Sequence, residues 1–481
     1  MSKDAPLSDA RQRLLEIEKR GALTPAGPAA SSGKTRTLPE GPVPLSFSQE
    51  QVWRLDQTAA RLAPLHNESI TIHRHGLCDI PTLERSFAEI IRRHEIWRTT
   101  FAVVEGQPVQ VVHAAPADYK LPVSDIRTLP ESDRESRALD LATRDAAQPF
   151  DLNQGPLLRA RLVTFDDGEH RLYLTAHQSI VDGITVFDIF PTELTTLYES
   201  FAVGEPSPLP ELEAQYSDFA LWQRRSLTNE VIENQLAYWQ KQLHGELPVL
   251  DWPNEFARPA RQTYHGALHS FRLSGELSAS LKALGRREGV TLFMILLAGL
   301  VKLLHLRTGQ QDIIIGTLSP SGRKQAKFQR LAGYFLNPVP LRANLSGNPT
   351  FRSLLKQMRQ VTLGAISNDD VPLDLVADRI QVQQDPARSP LFTVALSVAP
   401  DTPQLPSGWS MTYMDVESGG ARWDLYLEMS DRADGIIGRA QYNPDLFTRT
   451  VIRQTLEDLT LVLKSAAADP AQRLDERCQI S

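Results

Sequence analysis

The stretch that most constrains this chain is LLRARLVTFDDGEHRLYLTAHQSIVDGITVFDIF, residues 157–190. Two apolar runs flank Asp167-Gly168, a pair that favours the tight turn of a β-hairpin. The second run, Leu172 to Ala176, stops at a polar cluster made of His177, Gln178 and Asp182, followed by Gly183. A helical pattern then resumes. Glycine at 183 permits a positive φ and close approach of the backbone to a ligand, and a backbone N–H there can stabilise an oxyanion. By themselves these residues fit a tight turn with a buried aspartate as well as they fit a catalytic cluster.

Strand and helix patterns alternate on both sides of this hairpin. QEQVWRLDQTAA reads as helix, SITIHRHG as strand, and IPTLERSFAEIIRRHEIWR as an amphipathic helix with Leu83, Phe87, Ile90 and Ile91 on one side. PVQVVH reads as a strand. In the second half VTLFMILLAGLVKLLHLRTG reads as a buried helix ending at Gly309, and DIIIGTLS as a strand buried on both faces. PLFTVALSVAP and DLYLEMSD follow as strands, and TVIRQTLEDLTLVLKSAAAD as a closing helix. With 481 residues the chain exceeds one ordinary core, so two α/β lobes with a cleft between them are expected. Residues 7–19 read as a short helix, so residues 1–20 form a linker or docking helix, and residues 21–44 form a Gly/Pro/Ser-rich flexible linker. The lobes are placed at 45–212 and 213–470, with a tail at 471–481.

A net charge of −7 and no long basic run argue against nucleic acid and anionic membranes as partners. The N-terminus lacks the apolar core of a signal peptide, and Lys302 and His305 interrupt the most apolar stretch, which is too short to span a bilayer. Two distant cysteines, Cys78 and Cys478, fit neither a disulfide framework nor a metal site and suit a reducing cytoplasm.

The histidines offer few sites. His73 and His75 share one strand face without a third metal ligand, so they read as a surface pair. His265 and His269 lack the glutamate of a zinc-protease motif. His94-Glu95, among Arg92, Arg93 and Arg98, reads as a helix end stabilised by cations. Walker, dinucleotide-binding and G-x-S-x-G motifs are absent.

A series of motifs in fixed order adds more. LSFSQEQVWRLDQ is similar to S-x-A-Q-x-R-L-W-F-L, RRHEIWRTTF to R-H-E-x-L-R-T-x-F, and AHQSIVDG to M-H-H-x-x-x-D-G. YSDFALWQR matches Y-x-D-F-A-x-W, and LAGYFLNPVPLR resembles I-G-x-F-V-N-T-x-x-x-R. NDDVPLDLV and DPARSPLF resemble H-Q-D-V-P-F-E-x-L-V and R-D-x-S-R-N-P-L-F. Together, from Leu45 to about Pro470, the chain resembles the condensation domains of nonribosomal peptide synthetases, relatives of chloramphenicol acetyltransferase. The resemblance implies two acetyltransferase-like lobes in a V-shaped pseudo-dimer with a central tunnel. It implies that carrier proteins dock at both mouths and insert phosphopantetheine arms, so that an acyl thioester meets an amine or alcohol without a diffusible cofactor. It places His177, Gln178, Asp182 and Gly183 at the centre, and Ser48, Arg98, Trp222, Asn337 and Ser389 among the motif or tunnel residues. It also implies that Asp182 makes a buried salt bridge with an arginine.

The chain departs from the family at the second histidine, where Gln178 stands. An imidazole accepts a proton near pH 7 and an amide does not. Asn368-Asp369 replaces the usual His-Gln, Pro338 follows Asn337 where Thr is usual, and Pro191 is expected to kink the following helix or delay its start. Three readings follow from the resemblance. One is a condensation domain with altered or reduced catalysis, Gln178 positioning a substrate. Another is a non-elongating platform that docks carrier proteins, recruits a trans-acting tailoring enzyme or separates neighbouring modules. The third is a free-standing acyltransferase using a coenzyme A thioester.

Overall fold

In the computed structural model of the protein, residues 41–59, 64–383, 385–399, 403–413 and 416–476 are described. The helix and linker expected over residues 1–40 lie outside them, as does Cys478.

Both halves build a mixed sheet and cover it with helices. In the first half a five-stranded sheet runs Trp409–Tyr413, Asn67–His75, Glu169–His177, Leu158–Asp166, Val123–Asp125. The expected hairpin is there, closed at Asp167-Gly168, with the Asp166 carboxylate accepting the Gly168 N–H at 2.7 Å. Ile70, Ile72, Leu172 and Leu174 alternate onto the buried face, where the helices Ile80–Arg93 and Phe190–Ala202 close the core. The Phe87 and Phe190 rings meet edge to face at 5.5 Å between those helices. A small sheet of Val43–Pro44, Gln107–Val112 and Thr99–Val104 stands beside it.

In the second half a six-stranded sheet runs Asn337–Asn344, Asp312–Ser319, Val394–Val398, Leu425–Arg432, Gly435–Tyr442, Ala267–Ser274. Its two inner pairings, on either side of Val394–Val398, are parallel. Pro338 and Pro340 sit on the edge strand Asn337–Asn344, where a missing N–H is tolerated. The helix Leu292–Thr308 runs through the core and ends at Gly309, whose φ of 71° suits a left-handed cap. Among the described residues no single helix is long and apolar enough to cross a membrane.

Three expectations change on folding. The chain does not divide cleanly at 212/213. Trp409–Tyr413 joins the first half's sheet, antiparallel to Asn67–His75, and Phe328, Leu331, Ala332 and Phe335 pack into the first half's core. Apolar side chains follow the nearest core, whatever their position in the chain. The helix read through Arg98 instead ends at Arg93, and a separate 3₁₀ turn follows over Glu95–Arg98. His94 is drawn out of the helix by its ring, which donates to Glu193 at 2.8 Å and accepts the Ala332 N–H at 3.2 Å. The arginines there pair with carboxylates, Arg93 with Glu193 and Arg92 with Glu89 and Glu211, instead of serving the helix end. Pro191 does not delay the start of its helix, which already opens at Gly183-Ile184. Residues Thr185–Ile189 then form a π-turn, in which the Phe190 N–H reaches back to Thr185, and the α-helix resumes with proline in its first turn.

The halves also touch backbone to backbone. A Cβ at Gly420 would lie 2.6 Å from Leu65 Cα and 2.8 Å from the Pro64 oxygen. Gly420→Ala is therefore expected to destabilise the fold by about 1–3 kcal/mol, read as a lower urea midpoint at unchanged slope.

Candidate functional site

The strand Glu169–His177 ends opposite the start of Asn67–His75, with His177 facing Asn67. The next residue is pinned across the gap, because the Gln178 N–H donates to the His66 carbonyl at 2.7 Å. Gln178–Ile180 then makes one 3₁₀ turn, capped by the His177 ring, whose Nδ1 accepts the Ser179 N–H at 3.2 Å. The helix Phe47–Ala59 closes this turn from below, as Gln49 donates to the Ser179 carbonyl at 3.1 Å. In its last turn the helix delivers Asp56, whose two oxygens take His66 Nδ1 at 2.5 Å and His177 Nε2 at 2.7 Å. His177 is thus buried with both nitrogens occupied.

Asp182 is equally committed. Arg323 bonds it through Nε at 2.9 Å and Nη2 at 2.7 Å, while Thr185 donates to it from both N–H and hydroxyl. The remaining guanidinium nitrogen donates to the carbonyls of Gln329 and Leu331. Both side chains are buried. This arginine is the partner that the resemblance implies for Asp182, and it comes from the other half of the chain.

Gly183 departs from expectation. Its φ lies outside the left-handed region, and a Cβ there would make only ordinary contact with Phe187 at 3.6 Å. The chain turns here by means of Asp182 and Thr185, so the special backbone freedom of glycine is not used.

Gln178, Asp182 and Gly183 line a cavity of about 230 Å³ between the halves. The Gln178 side chain is half-buried, and its amide has no hydrogen-bond partner among the described residues. On the far wall the register places Glu428 directly opposite Arg439, and Arg439 Nε lies 2.7 Å from Glu428 and its Nη2 3.1 Å from Glu68. Burial pushes the Glu428 carboxyl above its usual range, against the pull of Arg439.

The other sequence-derived residues lie outside the cavity lining. Ser48 is buried in the helix Phe47–Ala59. Arg98 donates to the His113 carbonyl, and Trp222 packs on Phe219 and Phe328. Asn337 ties down the carbonyls of Asp369 and Val371, both at 2.8 Å. Ser389 donates to the Arg422 carbonyl at 3.2 Å and so holds the residue whose side chain lines the cavity. His73 and His75 stack on each other and contact Thr412 and Ser410, as a strand-surface pair does.

The sequence reading missed Asp56, His66, Glu68, Glu428 and Arg439. A charge inside an apolar strand, as in LYLEMSD and GIIGRAQY, was the signal for the last two. Burial drives the His66 pKa below the ordinary imidazole value, with the Asp56 charge opposing. Burial acts to raise the Asp56 pKa, but the charges and hydrogen bonds of His66 and His177 overcome it and hold the carboxyl below its usual range.

With this geometry in place, the comparisons with known proteins assign the class. The condensation-domain family model matches residues 40–480. A linear gramicidin synthase of Brevibacillus parabrevis is 38% identical over 438 residues, which cover 89% of this chain and 6% of that synthase. The X-domain from teicoplanin biosynthesis, solved also in complex with OxyB, superposes with a TM-score of 0.79 at 26% identity, covering 93% of this chain and 99% of that one. The first condensation domain of the calcium-dependent antibiotic synthetase, solved with a substrate analogue, shares the fold at a TM-score of 0.79 and 19% identity, covering 92% and 100%. The chain belongs to the condensation-domain family of nonribosomal peptide synthetases and has its chloramphenicol acetyltransferase-like α/β fold. It spans a small part of the gramicidin synthase it matches.

The buried charges set two expected outcomes. Asp182→Ala strands the Arg323 guanidinium and is expected to cost about 3–5 kcal/mol, seen as loss of soluble folded protein, whatever happens to activity. The His66 value is lower in the folded state than in the unfolded chain. Its contribution to stability is therefore complete above the ordinary imidazole pKa of about 6.5 and is lost as pH falls. Asp56 has the same sign in a more acidic window, below about pH 4. Denaturant melts between pH 7.5 and 5.5 are expected to show a decline of up to about 1.4 kcal/mol per pH unit from His66, and His66→Gln to flatten it.

Proposed function

We propose that this domain joins an acyl thioester, borne on the phosphopantetheine arm of a carrier protein, to an amine or alcohol presented by a second carrier, with catalysis altered by Gln178. The reading rests on one observation above all: the cavity between the halves presents an uncommitted amide at the position of the family's second histidine. In such a reaction the nucleophile attacks the thioester carbon, charge builds on the carbonyl oxygen, and the thiol leaves. A glutamine amide can donate to that oxygen or accept from the attacking amine, and it cannot take the proton. Holding a thioester and an amine together supplies much of the rate enhancement without a base. Asp182 and His177 act as frame, since their polar atoms are already occupied. The reading calls on carrier proteins as partners and on no diffusible cofactor.

A second reading, the recruiting platform, draws on the likeness to the X-domain, a protein solved with OxyB bound. One experiment separates the two. Wild type and Gln178→His are each mixed with a panel of acyl- and aminoacyl-loaded carrier proteins, and products are followed by mass spectrometry. Amide or ester product from any pair is the expected result. Absence of product from both proteins with every pair sinks the condensing role, and a stable complex with a trans-acting tailoring enzyme in the same preparation then favours the platform.

A further inference from the structure

The cavity wall holds a second imidazole, His66, at the foot of the strand Asn67–His75, adjacent to Gln178 through the hydrogen bond between their backbones. Its ring stands edge-on to that of His177 at 5.8 Å. The protons around it can be assigned. His177 Nδ1 accepts the Ser179 N–H, so its Nε2 carries the ring proton and donates to Asp56. An ionised carboxylate only accepts, so His66 Nδ1 also carries a proton and donates to the other oxygen of Asp56. The lone pair of His66 therefore sits on Nε2. That nitrogen is buried and has no hydrogen-bond partner among the described residues. An unpaired buried acceptor is costly, and an N–H or O–H group that reaches it from the cavity His66 lines would satisfy it.

We propose that His66 Nε2 is the proton acceptor of this site, oriented by Asp56, in the role that the amide of Gln178 cannot fill. The proposal rests on reading the domain as an acyl-transfer catalyst. As the nucleophile's nitrogen or oxygen bonds to the thioester carbon, the carbonyl π pair moves to oxygen and the nucleophile's proton passes to His66 Nε2. When the carbonyl re-forms, the carbon–sulfur bond breaks and sulfur leaves with its electron pair. The departing sulfur takes the proton back from His66, giving amide or ester plus free thiol and a neutral ring. The charged and titratable groups around the ring are Asp56, His177 and Arg422, with Glu68, Asp182, Tyr426, Glu428 and Arg439 also lining the cavity. Burial and the Arg422 charge keep the imidazole neutral, and so able to accept a proton, at pH 7.

The test pairs kinetics with a direct view of the tautomer. With the carrier pair found active, His66→Gln is expected to lower kcat about 10²–10⁴-fold with KM changed less than about threefold. Adding Gln178→His to His66→Gln is expected to restore kcat by at least about tenfold, because an imidazole returns to the cavity. Asp56→Asn, which keeps the shape but admits the wrong tautomer, is expected to lower kcat without a matching rise in KM. In ¹⁵N-histidine spectra of the wild-type protein at pH 7.5, His66 Nε2 is expected as an unprotonated, pyridine-type nitrogen. Protonated Nε2, or kcat within about threefold of wild type in a folded His66→Gln protein, overturns the proposal. An inert wild type is a different result: it removes the acyl-transfer reading itself, and the role of His66 falls with it.

Discussion

The buried ion pair between Asp182 and Arg323 is the contact on which the centre of this molecule depends. Asp182 leaves the end of the first half's hairpin and Arg323 leaves a turn after a central strand of the second half. Neither charge can remain buried without the other. Their short contacts, with Thr185 and the carbonyls beyond Arg323, hold the two halves at one separation. That separation bears on the cavity, since Asp182 lines it from one half and Leu318 and Pro320, just before Arg323, line it from the other. The Asp182 side chain is fully buried and bonded at both oxygens.

Around that frame the polar groups sort by whether they have partners. His177 is bonded at both nitrogens, Asp182 at both oxygens. Gln178 and His66 both line the cavity, and among the described residues the Gln178 amide and the buried His66 Nε2 have no hydrogen-bond partner. Gln178 thus sets an amide at the cavity, next to a segment whose imidazole is already tied to a carboxylate. The Gly420 contact with Pro64 and Leu65 presses the second half against the segment carrying that imidazole. Packing and chemistry meet at the same few residues.

Much of the fold was legible because local patterns agreed with the tertiary result. The hairpin at Asp167-Gly168, the helix ending at Gly309 and the buried strand Asp312–Ser319 each follow from periodicity and turn chemistry within a few residues. The end of the helix at Arg93 was not, because His94 is held by Glu193 and Ala332, 99 and 238 residues away. The exchange of Trp409–Tyr413 into the first half's sheet was illegible for the same reason. Gly183 was read for a freedom that its backbone does not use.

By itself the sequence determined the class of fold, the order of the motifs and the presence of an amide, Gln178, in the polar cluster after the hairpin. Those are properties of residue identity and spacing along the chain. Only the tertiary structure decided which polar atoms are spent and which are left, because a side chain's partners are chosen across the cleft. Asp56, at the end of one helix, and His66, at the start of one strand, carry no shared signal in sequence. They become a hydrogen-bonded unit when the sheet closes over the helix and water is excluded, so that the carboxylate must be satisfied by the imidazoles within reach.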